Sequence, residues 1–453
     1  MKRSFLLLFL VVFCWFNFVC YADDLNGVWE GRLSIRPDMS LRIVFNIDGY
    51  GSDKVSVTMD SPDQGSYGIP VSVVYMDSDS INVKVDNLYL SYCGRLNGEN
   101  IHGMFSQGMF KCAMNLCRGK SAVNRPQTPK APYGYSVSEV SFPSKSDGAE
   151  LYGTFTAPFN CDALTPVVVL LSGSGIHNRD EEIFEHKPFA VIADYLARNG
   201  VAALRYDDRG YDQSKGLKPN NTTFENALDA EGAVGYLKNR GFKNIGLIGH
   251  SEGGLVADIM ASKNKDIRFV VEIGGPSVSG DKILVYQNEL MLGDGNVPKE
   301  YIAMYIDAMK GIMDSQKDDD SKAFVESDYE IFSAKNSTNP VLAKLAKNLK
   351  DNFMNLPPWL RYFINYDPLA DINNIDVPML FIYGEKDTQV APELNAGLLK
   401  DKYPNVAVEV FPGLNHLMQH CETGRIAEYG KIEETIADEV LAAILNFIKA
   451  VCR

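Results

Sequence analysis

The sequence predicts an antiparallel β-domain followed by an α/β domain built on a mostly parallel sheet. Three observations carry this. The chain has 453 residues, more than one typical domain. From Asp24 to about Arg118 it is a series of short alternating or apolar runs separated by turn clusters. From Val137 onward, β-type and helix-type patterns alternate, as a parallel sheet with crossover helices requires.

The first element is a leader. Lys2-Arg3 precede an apolar stretch from Phe5 to Val19, and Cys20-Tyr21-Ala22 offers a small-x-small-like cleavage site before Asp23-Asp24. Residues 1–22 are therefore expected to be a signal peptide, and the protein to be exported to the periplasm or the extracellular space. The competing reading tethers the chain to a membrane through a lipidated Cys20, but Phe18-Val19-Cys20 lacks the leucine and small residues of a lipobox. After Ala22, Cys93, Cys112, Cys117, Cys161, Cys421 and Cys452 remain, an even number that permits disulfides without choosing a pairing. Cys112 and Cys117 would face opposite ways on one continuous strand and could not bridge each other.

Residues 23–118 hold the β-domain, with strands expected at Val28 to Ile35, Leu41 to Ile47, Val55 to Met59, Val71 to Met76, Ile81 to Val85 and Phe110 to Leu116. Turn clusters such as Asp48-Gly49, Asp60-Ser61-Pro62-Asp63 and Asn97-Gly98 separate these runs and point to a small barrel or sandwich. Residues 119–136 carry Pro126, Pro129 and Pro132 among basic residues and read as a semi-rigid linker. The α/β domain then runs from 137 to 453. Its pattern breaks at about 280–366, where Tyr305, Met309, Ile312 and Met313 recur at helical spacing. That insertion is expected to be a helical cap. Met354, Trp359, Tyr362 and Phe363 in it are either an acyl-binding wall or part of the cap's own core.

The chemistry is concentrated in Gly249-His250-Ser251-Glu252-Gly253-Gly254. The apolar run Asn244 to Ile248 before it is strand-like, and Leu255 to Ala261 after it has helical periodicity. Ser251 thus sits on a sharp strand-to-helix turn whose backbone is relieved of Cβ clashes by Gly249 and Gly253. A serine hydroxyl needs a base to attack, and the base needs an acid to orient it. Both follow: Val377 to Tyr383 is an apolar strand leading to Gly384-Glu385-Lys386-Asp387, and Val406 to Phe411 leads to Pro412-Gly413-Leu414-Asn415-His416. Glu385 competes with Asp387, and His420 with His416. Asp387 and His416 are favoured by their positions after the strand ends.

With Ser251, Asp387 and His416 in that chain order, each after a strand, the sequence resembles the α/β-hydrolase superfamily from about Val137 to the C-terminus. Within it the chain looks most like the cap-bearing branch of carboxylesterases and serine aminopeptidase-like enzymes. The resemblance implies an eight-stranded, mostly parallel sheet with helices on both faces. It also implies Ser251 as nucleophile, His416 as general base and Asp387 as its orienting acid. Val167 to Leu171 ends in Ser172-Gly173-Ser174-Gly175, where many relatives carry His-Gly-x-Gly, so the backbone N–H groups of Ser174 and Glu252 are the expected oxyanion donors. The Glu252 side chain is read as catalytically idle, an acid favoured by the helix dipole whatever else it does. Asn178-Arg179-Asp180-Glu181-Glu182 is expected to brace the oxyanion loop by ion pairs. Tyr206 to Ser214 resembles the family's Asp-x-Arg-Gly-x-Gly-x-Ser loop with Asp212 in place of the second glycine, which implies a local backbone change.

The remaining readings narrow the function. A net charge of −14 with no dense basic patch argues against nucleic acid as a partner. His416 and His420 are four apart, but leucine follows the first histidine where a zinc protease of that pattern needs glutamate. No phosphate-binding glycine loop or dinucleotide fingerprint is present, so the expected chemistry uses no cofactor and no metal. The expected activity is hydrolysis of small-molecule carboxylic esters through an acyl-enzyme. Two alternatives stand beside it: a secreted serine aminopeptidase, and a glycan- or lipid-binding protein with a silent hydrolase body. The oligomeric state is left open.

Overall fold

The structure is a computed structural model that describes residues 25–452 apart from 37–38, 53, 109, 122, 218–219, 317–328, 331, 334–337, 401–402 and 404–405. The stretch expected to be a signal peptide, residues 1–22 with Cys20, lies outside the described residues.

Alternating apolar residues in the first part of the chain pair into eight antiparallel strands: β1 (Gly27–Arg36), β2 (Met39–Asp48), β3 (Ser56–Ser61), β4 (Ser66–Met76), β5 (Ser80–Val85), β6 (Leu90–Asn97), β7 (Asn100–Gln107) and β8 (Phe110–Arg118). They close into a barrel, because β8 returns to β1 through Glu30–Cys117 and Gly31–Leu116. Closure removes the exposed edges that an open sheet of this length would leave. The inward residues, among them Trp29, Phe45, Val83, Tyr92, Phe105 and Leu116, fill the interior. Trp29 and Tyr92 keep their polar atoms satisfied there, the indole donating to Leu25 O (2.8 Å) and the phenol to Met114 O (3.0 Å).

Two of these strands, β6 and β7, are absent from the expected set. Glycines dilute their apolar content: Gly94 and Gly103 stand opposite each other. A Cβ at Gly103 would lie 2.3 Å from the Tyr92 hydroxyl, so the ring takes the space a side chain would need. Cys93, Cys112, Cys117, Cys161, Cys421 and Cys452 are all unpaired thiols.

The chain divides into two compact units, one of Met1–Ser61 with Ser66–Ser121 and one of Pro62–Gly65 with Ala122–Arg453. The proline-rich stretch is not a free spacer within the second unit. The Arg125 guanidinium donates to Phe184 O (2.7 Å) and Gly430 O (3.1 Å), and the Gln127 amide holds Ile436 O and Thr435 N.

The second unit is built on β9 (Ser136–Pro143), β10 (Glu150–Ala157), β11 (Val167–Leu171), β12 (Ala202–Tyr206), β13 (Ile245–His250), β14 (Ile267–Ile273), β15 (Met379–Gly384) and β16 (Val406–Phe411), in the order β16-β15-β14-β13-β11-β12-β10-β9. The six strands from β11 to β16 are parallel, and β10 and β9 add an antiparallel edge. Every residue of β11 is buried, since helices cover both faces. Val167, Val169 and Leu171 pack into one layer and Val168 and Leu170 into the other. The order reverses at β11, whose neighbours are β12 and β13. A crevice therefore opens beyond the carboxyl ends of β11 and β13, where sheets of this kind hold their ligands.

Between β14 and β15 lie the helices Gly280–Asp294, Lys299–Ser315, Pro340–Phe353 and Pro358–Asn365. They have a core of their own, with Tyr305, Met309, Ile312 and Met313 packed against Leu345, Leu349 and Phe353.

Candidate active site

Ser251 follows the last residue of β13 and precedes the helix Glu252–Ala261. Its backbone sits at φ 53° and ψ −123°, a conformation that costs a non-glycine residue about 1–3 kcal/mol. Close packing enforces it: a Cβ at Gly253 would lie 2.0 Å from Leu171 O, and one at Gly249 would lie 2.2 Å from Gly253 O. The flanking glycines are therefore required by contact, since neither has positive φ.

Asp387 and His416 are brought together by the ends of β15 and β16. Gly384 closes β15 against the following loop so tightly that a Cβ there would lie 2.4 Å from Leu414 O. The Asp387 Oδ2 to His416 Nδ1 distance is 2.7 Å, and both side chains are buried. Asp387 Oδ1 accepts from the Gln389 N–H (2.7 Å) and the Val390 N–H (2.8 Å), which holds the carboxylate in place and leaves its other oxygen for the histidine. Gly274, at φ 60°, leaves room for the imidazole, whose Cε1 and Nδ1 would lie 3.0 Å from a Cβ there. The competing residues are engaged elsewhere. Glu385 accepts from the Gly413 N–H (2.9 Å), and His420 lies between Glu434 (2.9 Å) and Glu439 (3.2 Å) at the surface. The 416–420 segment is a turn closed by Asn415 rather than a helix, so its two histidines share no helical face.

The loop after β11 is braced from below. The Gly173 N–H donates to Glu181 Oε1 (2.6 Å), so this N–H is taken while that of the adjacent Ser174 has no protein acceptor among the described residues. Glu252 is the first residue of its helix, and its N–H is one of the four that a helix start leaves unpaired. Ser172 donates to Asp208 (2.7 Å), and the His177 N–H donates to the same carboxylate (2.8 Å). Desolvation pushes the Asp208 carboxyl up to about 7, against the pull of His177 and Ser172. The acidic and basic run acts as a brace: Arg179 pairs with Asp207 and Glu139, Asp180 with Arg205, and Lys187 with Glu182. Asp212 itself takes φ 43°, so an aspartate, which tolerates the left-handed region better than most side chains, turns the chain there.

Several residues of this site escape pattern reading. His250 bridges Glu181 Oε1 (2.9 Å) and His416 O (3.2 Å), linking the loop after β11 to the loop of His416. Burial alone would lower its pKa, but the Glu181 carboxylate, with the His416 carbonyl and Asp387 behind it, raises it. The partners are 69 and 166 residues away, and no local spacing marks them. The Glu252 side chain has structural partners that the sequence did not mark: its Oε1 accepts from Thr223 Oγ1 (2.7 Å) and Trp359 Nε1 (2.8 Å).

Ser251, His416, Ser174 and Glu252 line one cavity of about 260 Å³, closed on the cap side by Ile283, Leu284, Trp359 and Phe363. Of the expected acyl-wall residues, Trp359 and Phe363 face this cavity, whereas Met354 packs on the cap core and Tyr362 on the core beneath the sheet. Among the described residues, no group of three or more His, Cys, Asp or Glu side chains is arranged to hold a metal ion. Nor is any described helix long and apolar enough to cross a membrane.

The model of the alpha/beta hydrolase family matches residues 168–428. Esterase EstD of Thermotoga maritima is 27% identical over 284 residues, which make up 61% of this chain and 61% of that protein. The chain thus spans less than two thirds of that relative. Among solved structures, the Pyrococcus furiosus esterase Pf2001 is similar at 19% identity and a TM-score of 0.43, covering 74% of this chain and 100% of its own. The proline iminopeptidase of Mycobacterium smegmatis is similar at 17% identity and a TM-score of 0.43, covering 70% and 99%.

Proposed function

The chain belongs to the alpha/beta hydrolase family, and from that premise we propose that it is a carboxylesterase working through Ser251, His416 and Asp387. His416 takes the Ser251 proton as the hydroxyl attacks the acyl carbon, and Asp387 fixes the imidazole through Nδ1 so that Nε2 is the basic nitrogen. The N–H groups of Ser174 and Glu252 receive the oxyanion of the tetrahedral intermediate. His416 then protonates the departing alcohol, and water attacks the acyl-enzyme by the same route to return the serine. The observation that carries the reading is the buried 2.7 Å Asp387–His416 hydrogen bond beside a cavity that Ser251 also lines.

Ester is favoured over peptide by the lining of that cavity. An aminopeptidase needs a carboxylate to receive a free ammonium group. Each of the two glutamates at this cavity is anchored to the protein through one oxygen, Glu181 Oε1 accepting from Gly173 and His250, and Glu252 Oε1 from Thr223 and Trp359. Among the described residues, the cap contributes no acid to the lining. Purified protein is expected to cleave short-chain nitrophenyl esters faster than aminoacyl anilides, and the reverse ranking would move the assignment to a peptidase. Retention on a glycan or lipid array with no turnover of either class would favour a binding protein. The export reading rests on the basic start and apolar run before Ala22. Mature protein beginning at Asp23 would support it, and a lipid-modified Cys20 would replace it with a tether.

A further inference from the structure

We propose that the Glu252 carboxylate is a positioning residue that seats Trp359 of the cap as a wall of the acyl pocket, and thereby sets which acyl groups the enzyme accepts. The inference rests on the esterase reading of the same site.

Glu252 is 2% exposed, yet it lies one residue from the nucleophile in a cavity wall, where a carboxylate needs strong partners to remain. A single oxygen, Oε1, accepts from two elements at once. Thr223, fully buried at the start of the helix Thr223–Asn239, fixes it from the body of the domain, and the Trp359 indole reaches it from the cap helix Pro358–Asn365. Trp359 in turn stacks on Phe363 at 5.8 Å and 13°. Phe363 packs onto Gly280, where a Cβ would lie 2.3 Å from the ring, and Gly280 begins the helix that supplies Ile283 and Leu284. The apolar side of the cavity is thus tied through one indole N–H to the residue whose backbone faces the oxyanion. If that hydrogen bond is lost, a half-buried donor is left unpaired, and the Trp359 ring is free to leave the pocket.

The test is a double-mutant cycle on Glu252→Ala and Trp359→Phe, read with nitrophenyl acetate and nitrophenyl hexanoate on the full-length enzyme. Each single variant is expected to change the acetate-to-hexanoate ratio of kcat/KM by about tenfold, mostly through KM, and the double variant to add nothing further. Glu252→Gln, which keeps an oxygen for both donors, is expected to restore the wild-type acyl preference. Multiplicative effects in the double variant would overturn the proposal, as would an equal fall in kcat for both esters. Trp359 emission, taken as the difference from Trp359→Phe, supplies a readout independent of turnover. It is expected to shift to the red in Glu252→Ala and to stay in place in Glu252→Gln; unchanged emission in Glu252→Ala would overturn the seating of Trp359. A wild-type enzyme that cleaves no ester but shows this shift would sink the esterase reading alone.

Discussion

At the scale of residues, the site depends on what each polar atom is already bonded to. Asp387 uses one oxygen for two backbone N–H groups and the other for His416, so its orientation is fixed before any substrate arrives. Replacing it with asparagine is expected to lower kcat by roughly 10³–10⁴-fold with little change in melting temperature, because the amide favours the wrong imidazole tautomer. His250 acts one step further out. It holds the His416 carbonyl and the carboxylate that engages the Gly173 N–H, so His250→Phe removes both tethers while keeping a ring of similar bulk. We expect kcat to fall by roughly 10–100-fold with KM within about threefold, measured on a nitrophenyl ester. A change confined to KM would place His250 in substrate binding instead.

At the scale of elements, close backbone approach joins the loops. Gly384 has no room for a methyl group because Leu414 O and Asn415 O lie 2.4 and 2.5 Å from where it would stand. Gly384→Ala is therefore expected to separate the loops of Asp387 and His416, abolish turnover and cost roughly 2–3 kcal/mol in chemical denaturation. An alanine variant with full activity would show that the loops are positioned by other contacts. The same scale explains what was legible in the sequence. Ser251 was marked by its own strand, turn and helix, and the loops bearing Asp387 and His416 each followed a recognisable apolar strand. β6 and β7 were hidden because Gly94 and Gly103 make space for Tyr92 and break the apolar alternation. His250 and the side chain of Glu252 were not assigned as partners, since their contacts are made across long stretches of chain.

At the scale of the whole molecule, the second unit contains a buried acid pair that the chemistry does not use, one member on the helix Glu252–Ala261 and the other on β14. Asp258 and Glu272 are both fully buried, and their carboxylate oxygens find no other partner among the described residues. Burial, reinforced for Asp258 by the neighbouring Glu272, raises the pKa of both carboxyls. The folded chain therefore keeps a proton that the unfolded chain releases above the ordinary carboxylate range. The sign follows: this contribution to stability is fully present at low pH and is lost as pH rises through the folded pKa, at a slope of about 1.4 kcal/mol per pH unit for one proton. Glu272→Gln is expected to flatten the decline between about pH 5 and 8 in a series of urea titrations. An unchanged slope would mean that other groups set the alkaline loss.

The central claim is that Ser251, His416 and Asp387 act as one unit, and the rate at which an alkylphosphonate labels the protein tests it most directly. A single adduct on Ser251 is predicted by peptide mass mapping, with labelling slowed at least about 10³-fold in His416→Ala. An adduct on another residue, or labelling of Ser251 at an undiminished rate in His416→Ala, would contradict the account.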